Sequence, residues 1–406
     1  MRILRVHNRY QGRGGEDVSF ESEVQVLRDH GHDVRTLIAS NDVIPDQPSP
    51  LTSAKLAVST VWSLTGLEAV EREILDFQPD IAHFNNTFPL ISPSAYTACR
   101  RHGVPVVQTL HNYRPMCPNV LFYNDGHVCE DCMGKLFQYP AVIHGCYRGS
   151  RAQTAVVATM NAVHRFRGTW AKDVDRFIVM TLFEREKFIE GGFPADRIIV
   201  KPHFVYAGPV DPKQPRRGLL YAGRLTREKG IPMLLDAWAS AEMMPLTIAG
   251  DGPLAGEVRG AAERHPELHY LGQQSYPDVL ALMRRASMLI VTSEWYETFG
   301  RVVIESFAGG TPVLAANIGA IGELVTPGVT GLHFEPGNPA DLAAKIRWAA
   351  GHPEEMGRMG QNARREYEQK YTPERNYTLL MDIYNQVIAD AAGHRREARE
   401  PVPSIA

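Results

Sequence analysis

No run of apolar residues in the chain approaches the roughly 18 that a membrane-spanning helix requires. The amino terminus, Met1-Arg2-Ile3-Leu4-Arg5-Val6, carries arginines inside its short apolar run and has no long apolar stretch behind it, so it reads as a strand rather than a secretory signal. Positive charge is not in excess either. Lys and Arg number 43 against 46 Asp and Glu, a net charge of −3, which excludes the broad basic footprint of a nucleic-acid binder. Self-similarity of solenoid length is absent, and cysteine is scarce at five. What is present is a chain of 406 residues, 44% apolar and 22% charged. At roughly 100–200 residues per domain this supports two to three domains with a sizeable core. The expectation is a soluble cytosolic enzyme of two α/β domains.

Short apolar runs alternate with longer amphipathic segments throughout, the pattern of βαβ units around a parallel sheet. Strands are predicted over Arg2–His7, Asp33–Leu37, Ile81–Phe84, Val104–Thr109 and Arg176–Met180, with helices over Glu16–His30 and Pro93–His102. The second half repeats the design with Gly218–Ala222, Leu246–Ala249, Leu268–Leu271, Met288–Thr292 and Pro312–Ala315. These aliphatic and β-branched runs suit strands covered on both faces. Four prolines and no helical periodicity mark Lys201–Arg217 as a linker, with the boundary near Val210. The expected division is 1–209, 210–375, and a last helix over 376–392 that packs back on the first domain, followed by a loose tail, 393–406. Two open sheets joined this way enclose a cleft at the carboxyl ends of their strands, where such sheets bind ligands.

The cleft chemistry is densest in Ser293-Glu294-Trp295-Tyr296-Glu297-Thr298-Phe299-Gly300-Arg301-Val302-Val303-Ile304-Glu305. It follows a predicted strand and runs into an apolar periodicity, so a helix is expected to start near Thr298–Gly300 with its free amides aimed into the cleft, a site suited to a diphosphate. Glu297 precedes that helix and Glu305 lies about two turns along it. Carboxylates accept from sugar or ribose hydroxyls, although both could equally be ordinary helix-terminal charges. Leu219-Leu220-Tyr221-Ala222-Gly223-Arg224-Leu225-Thr226-Arg227-Glu228-Lys229-Gly230 reads as strand, turn and helix start, delivering Arg224 and Lys229 to the same strand-end surface. A guanidinium fork and a point charge together suit a diphosphate. Ala249-Gly250-Asp251-Gly252-Pro253 adds a third glycine-rich turn after a strand.

Taken in order, Gly-Arg-Leu-x-x-Glu-Lys-Gly at 223–230, Ala-Gly-Asp-Gly-Pro at 249–253, Glu-x7-Glu at 297–305 and Ser-Phe-Ala-Gly-Gly-Thr-Pro-Val at 306–313 resemble the family 4 retaining glycosyltransferases of the GT-B fold, of the bacterial cell-surface polysaccharide type. The likeness extends over almost the whole chain. It implies two Rossmann-like domains facing a central cleft. The residues matching Arg224 and Lys229 would bind the donor diphosphate, Glu305 the nucleotide ribose and Glu297 the donor sugar. The turn Phe299-Gly300-Arg301 would lie near sugar and phosphates. Within Gln11-Gly12-Arg13-Gly14-Gly15-Glu16-Asp17 the resemblance implies a Gly-Gly pair, Gly14 and Gly15, facing the diphosphate from the other lobe. This spacing is not the Gly-x-Gly-x-x-Gly of dinucleotide binders. His111, predicted at the carboxyl end of a strand, would lie near donor sugar and acceptor, where an imidazole can donate to a hydroxyl or pass a proton. The catalytic set is thus His111, Glu297, Arg224 and Lys229. Asn85 and Asn86 are weaker candidates for hydroxyl contacts. Thr181 and His203 depart from the residues usual in the family, serine and asparagine, and are expected to lie off the diphosphate cluster.

Cys117, Cys129, Cys132 and Cys146 fall close together, with Cys129-Glu130-Asp131-Cys132 as a CxxC, while Cys99 stands apart as a core residue. Four thiolates could close a tetrahedral structural zinc site, or the four could be plain reduced thiols; the spacing leaves both open. Arg148, Arg151, His164, Arg165, Arg167 and Lys172 gather around the semi-apolar stretch Ala155–Val163. They form either a solvated helix face or a patch meeting anionic lipid headgroups at the inner face of the plasma membrane.

The expected function is transfer of a sugar, with retention, from a nucleoside diphosphate sugar to a hydroxyl of a sugar or lipid-linked glycan, in exopolysaccharide, capsule or lipopolysaccharide assembly. No cofactor is required, because Arg224, Lys229 and the helix tip can stabilise the leaving diphosphate without a metal. Two rivals share these features: a GT-B-like sugar-nucleotide epimerase or hydrolase, and a catalytically inactive sugar-nucleotide binder. A nicotinamide-linked oxidoreductase is disfavoured by the glycine spacing.

Overall fold

The computed structural model describes residues 1–397 apart from 13, 46, 212–213 and 242–243. Its strands are β1 (Arg2–Arg9), β2 (Asp33–Ser40), β3 (Ile81–Phe84), β4 (Val106–Thr109), a two-residue hairpin pair β5 (Tyr123–Asn124) and β6 (His127–Val128), then β7 (Arg176–Val179) and β8 (Ile198–Val200). The second half adds β9 (Leu219–Ala222), β10 (Leu246–Ala249), β11 (Leu268–Gly272), β12 (Met288–Val291), β13 (Val313–Ala316) and β14 (Gly331–Phe334). They build two six-stranded sheets, in the orders β2-β1-β3-β4-β7-β8 and β11-β10-β9-β12-β13-β14. All pairings within these two sheets are parallel.

The central strands of both sheets are buried on two faces because most of their positions are apolar, and alternation assigns each side chain to one layer. In the first sheet Leu4, Val6, Ala82, Phe84 and Val106 face a layer that includes Leu67, Val70, Ile74 and Tyr96. Ile3, Ile81, Val107 and Ile178 face the opposite way, onto Phe20, Val24 and Leu27 of the helix Gly15–Asp29. That second layer is completed by Leu380, Ile383, Tyr384 and Val387 of the last helix, Pro373–Glu397, which therefore covers the first sheet although it follows the second. This helix continues through 393–397, where a loose tail is expected to begin; the remainder of that tail, 398–406, lies outside the described residues.

A buried ionic knot fastens the crossing. Glu23, on the helix Gly15–Asp29, receives Arg5 Nη2 at 2.9 Å and Lys201 Nζ at 2.6 Å. Lys201 Nζ also donates to Asn376 Oδ1 at 3.2 Å, and Asn376 Nδ2 to the Pro202 carbonyl at 2.8 Å. The end of β8, the start of the linker and the start of the last helix are thus held at one carboxylate. Burial opposes ionisation of Glu23, but the adjacent Lys201 and Arg5 charges hold its carboxyl well below the usual range.

Two strands escape the sequence pattern and one predicted helix is divided. Strands β8 and β14 are too short and too mixed in composition (Ile-Ile-Val and Gly-Leu-His-Phe) to stand out by pattern. The segment predicted as one helix over Pro93–His102 is a 3₁₀ turn, Pro93–Ala95, followed by a helix, Tyr96–His102. Among the described residues no helix is long and apolar enough to cross a membrane.

Candidate active site in the interdomain cleft

In each sheet the strand order reverses direction once, between β1 and β3 in the first and between β9 and β12 in the second. Such a reversal leaves a crevice at the carboxyl ends of the strands. The loop after β9 carries Arg224 and Lys229, and the loop after β12 carries Ser293 to Gly300, so the reversal in the second sheet brings the two motifs together. Glycine 230 makes this approach close. Its φ is +69°, and a Cβ there would stand 2.1 Å from the Thr292 carbonyl oxygen, closer than any side chain can be. Thr292 Oγ1 donates to the Lys229 carbonyl at 2.6 Å, and Glu294 N to the Glu228 carbonyl at 2.9 Å. Lys229 Nζ then reaches Glu297 Oε1 at 2.7 Å, and the Ser293 hydroxyl donates to the same oxygen. Glu297 is buried and Lys229 half-buried, whereas Arg224 is exposed, its side chain joined to no other described residue.

The helix expected from Thr298–Gly300 begins at Arg301 and runs to Ala308, with Gly300 as its cap at φ +86°. The three residues before it are spent on contacts instead of helical turns. Phe299 is buried, and the Thr298 hydroxyl donates to the His111 carbonyl at 3.1 Å. From the helix's first turn Arg301 reaches the other lobe, donating to Ser19 Oγ at 3.0 Å. It also lies 3.6 Å from Glu305, one turn on. Burial raises the Glu305 carboxyl above its ordinary value, and Arg301 together with Tyr276 opposes that rise.

Gly14 caps the helix Gly15–Asp29 in an extended conformation, its N–H donating to Asp17 Oδ2 at 2.9 Å. The other oxygen of Asp17 pairs with His7 Nε2 at 2.8 Å, fixing the glycine turn to β1. Gly15 lies against Arg301: a Cβ there would come within 3.5 Å of the arginine's Cδ. The glycine pair of one lobe and the helix tip of the other thus face each other across a narrow gap.

His111 lies just past the end of β4. Its Nε2 is 2.8 Å from Asn85 Nδ2, and its ring stacks on His203 at 5.3 Å between centroids. His203 in turn meets Phe299 edge-on at 5.2 Å. Burial pushes the His111 imidazole down to about 3, so it is neutral at physiological pH. His203, expected off the diphosphate cluster, thus joins His111 to Phe299. Its position was hidden because it follows β8, the strand the sequence pattern missed. Thr181, also expected to lie apart, caps the helix Leu182–Glu190 and donates to the Thr298 carbonyl at 3.5 Å. Ser19, Ser293 and Thr298 carry no sequence signal beyond proximity to the motifs.

Elsewhere one expectation is corrected. His164 is buried, with its ring nitrogens 3.0 Å from Thr169 Oγ1 and 2.9 Å from the Val61 carbonyl, and burial lowers it to about 4. It is therefore not an exposed charge as Arg148, Arg151, Arg167 and Lys172 are, and Arg165 is only partly exposed. Cys117, Cys129, Cys132 and Cys146 line one small cavity as free thiols, but among the described residues no group of three His, Cys, Asp or Glu side chains is placed to hold a metal ion. Burial raises all four thiols, and Cys117 Sγ donates to Asn119 Oδ1 at 2.8 Å.

Two Rossmann-like domains whose strand ends oppose each other across a cleft define the GT-B fold. Residues 14–203 match the family model described as a glycosyl transferase 4-like domain, and 209–366 that of the glycosyl transferases group 1. The glycogen synthase of Mycobacterium tuberculosis (strain ATCC 25618 / H37Rv) is 29% identical over 308 residues, 71% of this chain and 72% of that protein. D-inositol 3-phosphate glycosyltransferase 1 of Catenulispora acidiphila is 30% identical over 273 residues, 61% of this chain and 59% of that protein. Among solved structures, Anabaena Alr3699/HepE in complex with UDP and glucose superposes with a TM-score of 0.63 at 17% identity, covering 95% of this chain and 100% of that one. Sucrose-phosphate synthase from Thermosynechococcus elongatus superposes with a TM-score of 0.68 at 18% identity, covering 96% and 100%. The chain belongs to the GT-B glycosyltransferases.

Proposed function

We propose that this glycosyltransferase moves a sugar, with retention of anomeric configuration, from a nucleoside diphosphate sugar to an acceptor hydroxyl, as family 4 enzymes do. The observation that carries the reading is the meeting of Lys229 with Glu297 at the strand-order reversal of the second sheet, immediately before the helix Arg301–Ala308. In the proposed complex the diphosphate lies between Arg224, Lys229, the amides at the helix tip and the glycine pair Gly14-Gly15. Lys229 then exchanges its contact with Glu297 for phosphate, which frees Glu297 to accept from the sugar. Glu305 holds the ribose, and Phe299-Gly300-Arg301 flank sugar and phosphates.

In the transfer step a bond forms between the acceptor oxygen and the anomeric carbon while the bond from that carbon to the diphosphate oxygen breaks. The acceptor proton passes to the departing phosphate. Charge building on the diphosphate is stabilised by the two cations and the helix tip, groups already oriented before reaction. The resemblance to family 4 and the UDP and glucose named in the HepE structure support a nucleotide-sugar donor. The names of the relatives, glycogen synthase and D-inositol 3-phosphate glycosyltransferase, leave the acceptor open between a glycan and a smaller hydroxyl compound. A lipid-linked glycan in cell-surface polysaccharide assembly fits the exposed cations Arg148, Arg151, Arg167 and Lys172, which would rest on anionic headgroups.

A panel of UDP-, GDP- and ADP-sugars in thermal unfolding tests the donor. A true donor at about 100 times its Kd stabilises the fold by about 2.7 kcal/mol. No shift with any of the three classes would end the proposal. Product NMR then reads the stereochemistry: an α-linked product from an α-linked donor is expected, and a β-linked product would remove retention.

A further inference from the structure

The side chain of Asn85 joins two groups whose hydrogen-bonding capacities are unequal. Its Oδ1 lies 2.7 Å from Arg5 Nη2. A guanidinium carries only donors, so the Asn85 atom facing it must be the carbonyl oxygen, and the amide cannot be turned the other way. Its Nδ2 therefore points at His111 Nε2, 2.8 Å away. An amide nitrogen donates and does not accept, so Nε2 of His111 has to accept. In a neutral imidazole the proton then resides on Nδ1. Arg5 is itself fixed. It is fully buried and paired with Glu23 at 2.9 Å, and Glu23 is held by Lys201 at 2.6 Å. A continuous chain of contacts runs from the linker through Lys201, Glu23, Arg5 and Asn85 to His111.

From this chain we infer that Asn85 is a positioning residue that locks His111 as its Nδ1–H tautomer, so that His111 serves the reaction as a hydrogen-bond donor to the sugar and does not relay protons. The assignment of the sugar as recipient rests on the nucleotide-sugar reading above; the tautomer does not. Nδ1 has no partner among the described residues, and His111 is mostly buried but retains some exposure, so the N–H is left for a ligand. A proton relay would need Nε2 to take up a proton, which would set an N–H against the Asn85 amide and put an imidazolium among Arg5, Lys201, His7 and the stacked His203, opposed in part by Glu23.

Long-range proton–nitrogen NMR of the uniformly ¹⁵N-labelled full chain tests the tautomer, with the signals of His111 identified by their loss in His111→Gln. The expected pattern is a pyrrole-type Nδ1 and a pyridine-type Nε2, unchanged between about pH 5 and pH 8, the window in which an unperturbed histidine titrates. The reverse assignment, or a titration in that window, overturns the proposal, and this reading needs no variant. Asn85→Asp supplies the functional arm, since a carboxylate facing Nε2 accepts and pulls the proton there. Its spectrum should show the protonated nitrogen switched to Nε2. Nucleotide release from UDP-glucose, or from whichever nucleotide sugar gives the largest thermal shift, should fall about tenfold at pH 8, the size of one lost hydrogen bond of about 1.4 kcal/mol. It should recover toward wild-type rates as the pH falls and the second nitrogen gains its proton. A merely structural role would give a loss that acid does not reverse. A switched tautomer with unaltered turnover would refute the sugar contact while leaving the tautomer in place, and so separates this inference from the nucleotide-sugar reading.

Discussion

Lys229 Nζ and Glu297 Oε1 lie 2.7 Å apart on loops that follow strands β9 and β12, 68 residues apart in sequence. The pair joins the cation proposed for the diphosphate to the carboxylate proposed for the sugar. Each neutralises the other. In the proposed complex, binding a nucleotide sugar would replace one ion pair by two charge-assisted contacts, which would link occupancy by the phosphate to release of the carboxylate.

Replacing Lys229 by Met should therefore separate binding from stability. The ammonium is partly exposed, and ion pairs of that kind contribute within about 1 kcal/mol to folding. Charge-assisted hydrogen bonds to phosphate are worth more, about 1.5–3 kcal/mol. Titration calorimetry with UDP should show affinity falling by about 10- to 100-fold, while the unfolding midpoint moves little. A large drop in midpoint with unchanged UDP affinity would make Lys229 a structural residue.

Gly230→Ala tests the geometry beneath that pair. An alanine would be strained at φ +69°, and its Cβ would collide with the Thr292 carbonyl at 2.1 Å. The loops must move apart, at a cost of about 1–3 kcal/mol for the strained backbone alone. Denaturant unfolding should show that loss. UDP affinity should fall with it, because Lys229 directly precedes the displaced residue.

How far these features could be read from sequence depended on the kind of signal. Gly230, Lys229 and Glu297 sit in runs whose residue types and order are themselves restrictive, and the apolar strands before them were visible as patterns. His203 offered nothing comparable. It stacks on His111 and touches Phe299 because β8 carries it there, and a three-residue strand has no periodicity to detect. The same holds for Ser19, which meets Arg301 through the closing of two lobes 282 residues apart in sequence. Contacts made by docking one domain on another leave no local trace. Glu23 and Lys201 illustrate the limit in another way, since each alone reads as a surface charge and only the fold buries them against one another.

That burial makes Glu23 a stability determinant with a defined pH dependence. Because its folded-state carboxyl is held well below the unfolded value, its contribution is fully present above the unfolded pKa and is lost as pH falls through the folded one. Glu23→Gln should thus destabilise at neutral pH by about 3–5 kcal/mol, the cost of leaving buried charges such as Arg5 and Lys201 unpaired. In strong acid, where the wild-type carboxyl is also protonated, the difference between the two proteins should shrink. Denaturant melts at a series of pH values below neutrality would show the curves converging. A constant gap at all pH values would mean that Glu23 acts through packing instead of charge.

Arg301 carries the opposite sign. Glu305 is raised by burial, so its ionisation weakens the fold as pH climbs from its unfolded value past the folded one, and Arg301 at 3.6 Å limits that loss. Arg301→Gln removes the compensating charge, which should lift the Glu305 carboxyl further and make the variant progressively less stable relative to wild type as pH rises through that window. The substitution also breaks the donation to Ser19 that ties the helix tip to the first lobe. Two separate readouts follow. Stability against pH reports the Glu305 pairing, and UDP affinity at fixed pH reports the shared anion site, where a drop of about tenfold is expected for one lost charge-assisted contact. Ser19→Ala removes only the bridge between lobes, so it should leave the pH profile of stability as in wild type. If Ser19→Ala reproduced the altered profile, the inter-lobe contact and not the carboxylate pairing would be what Arg301 supplies.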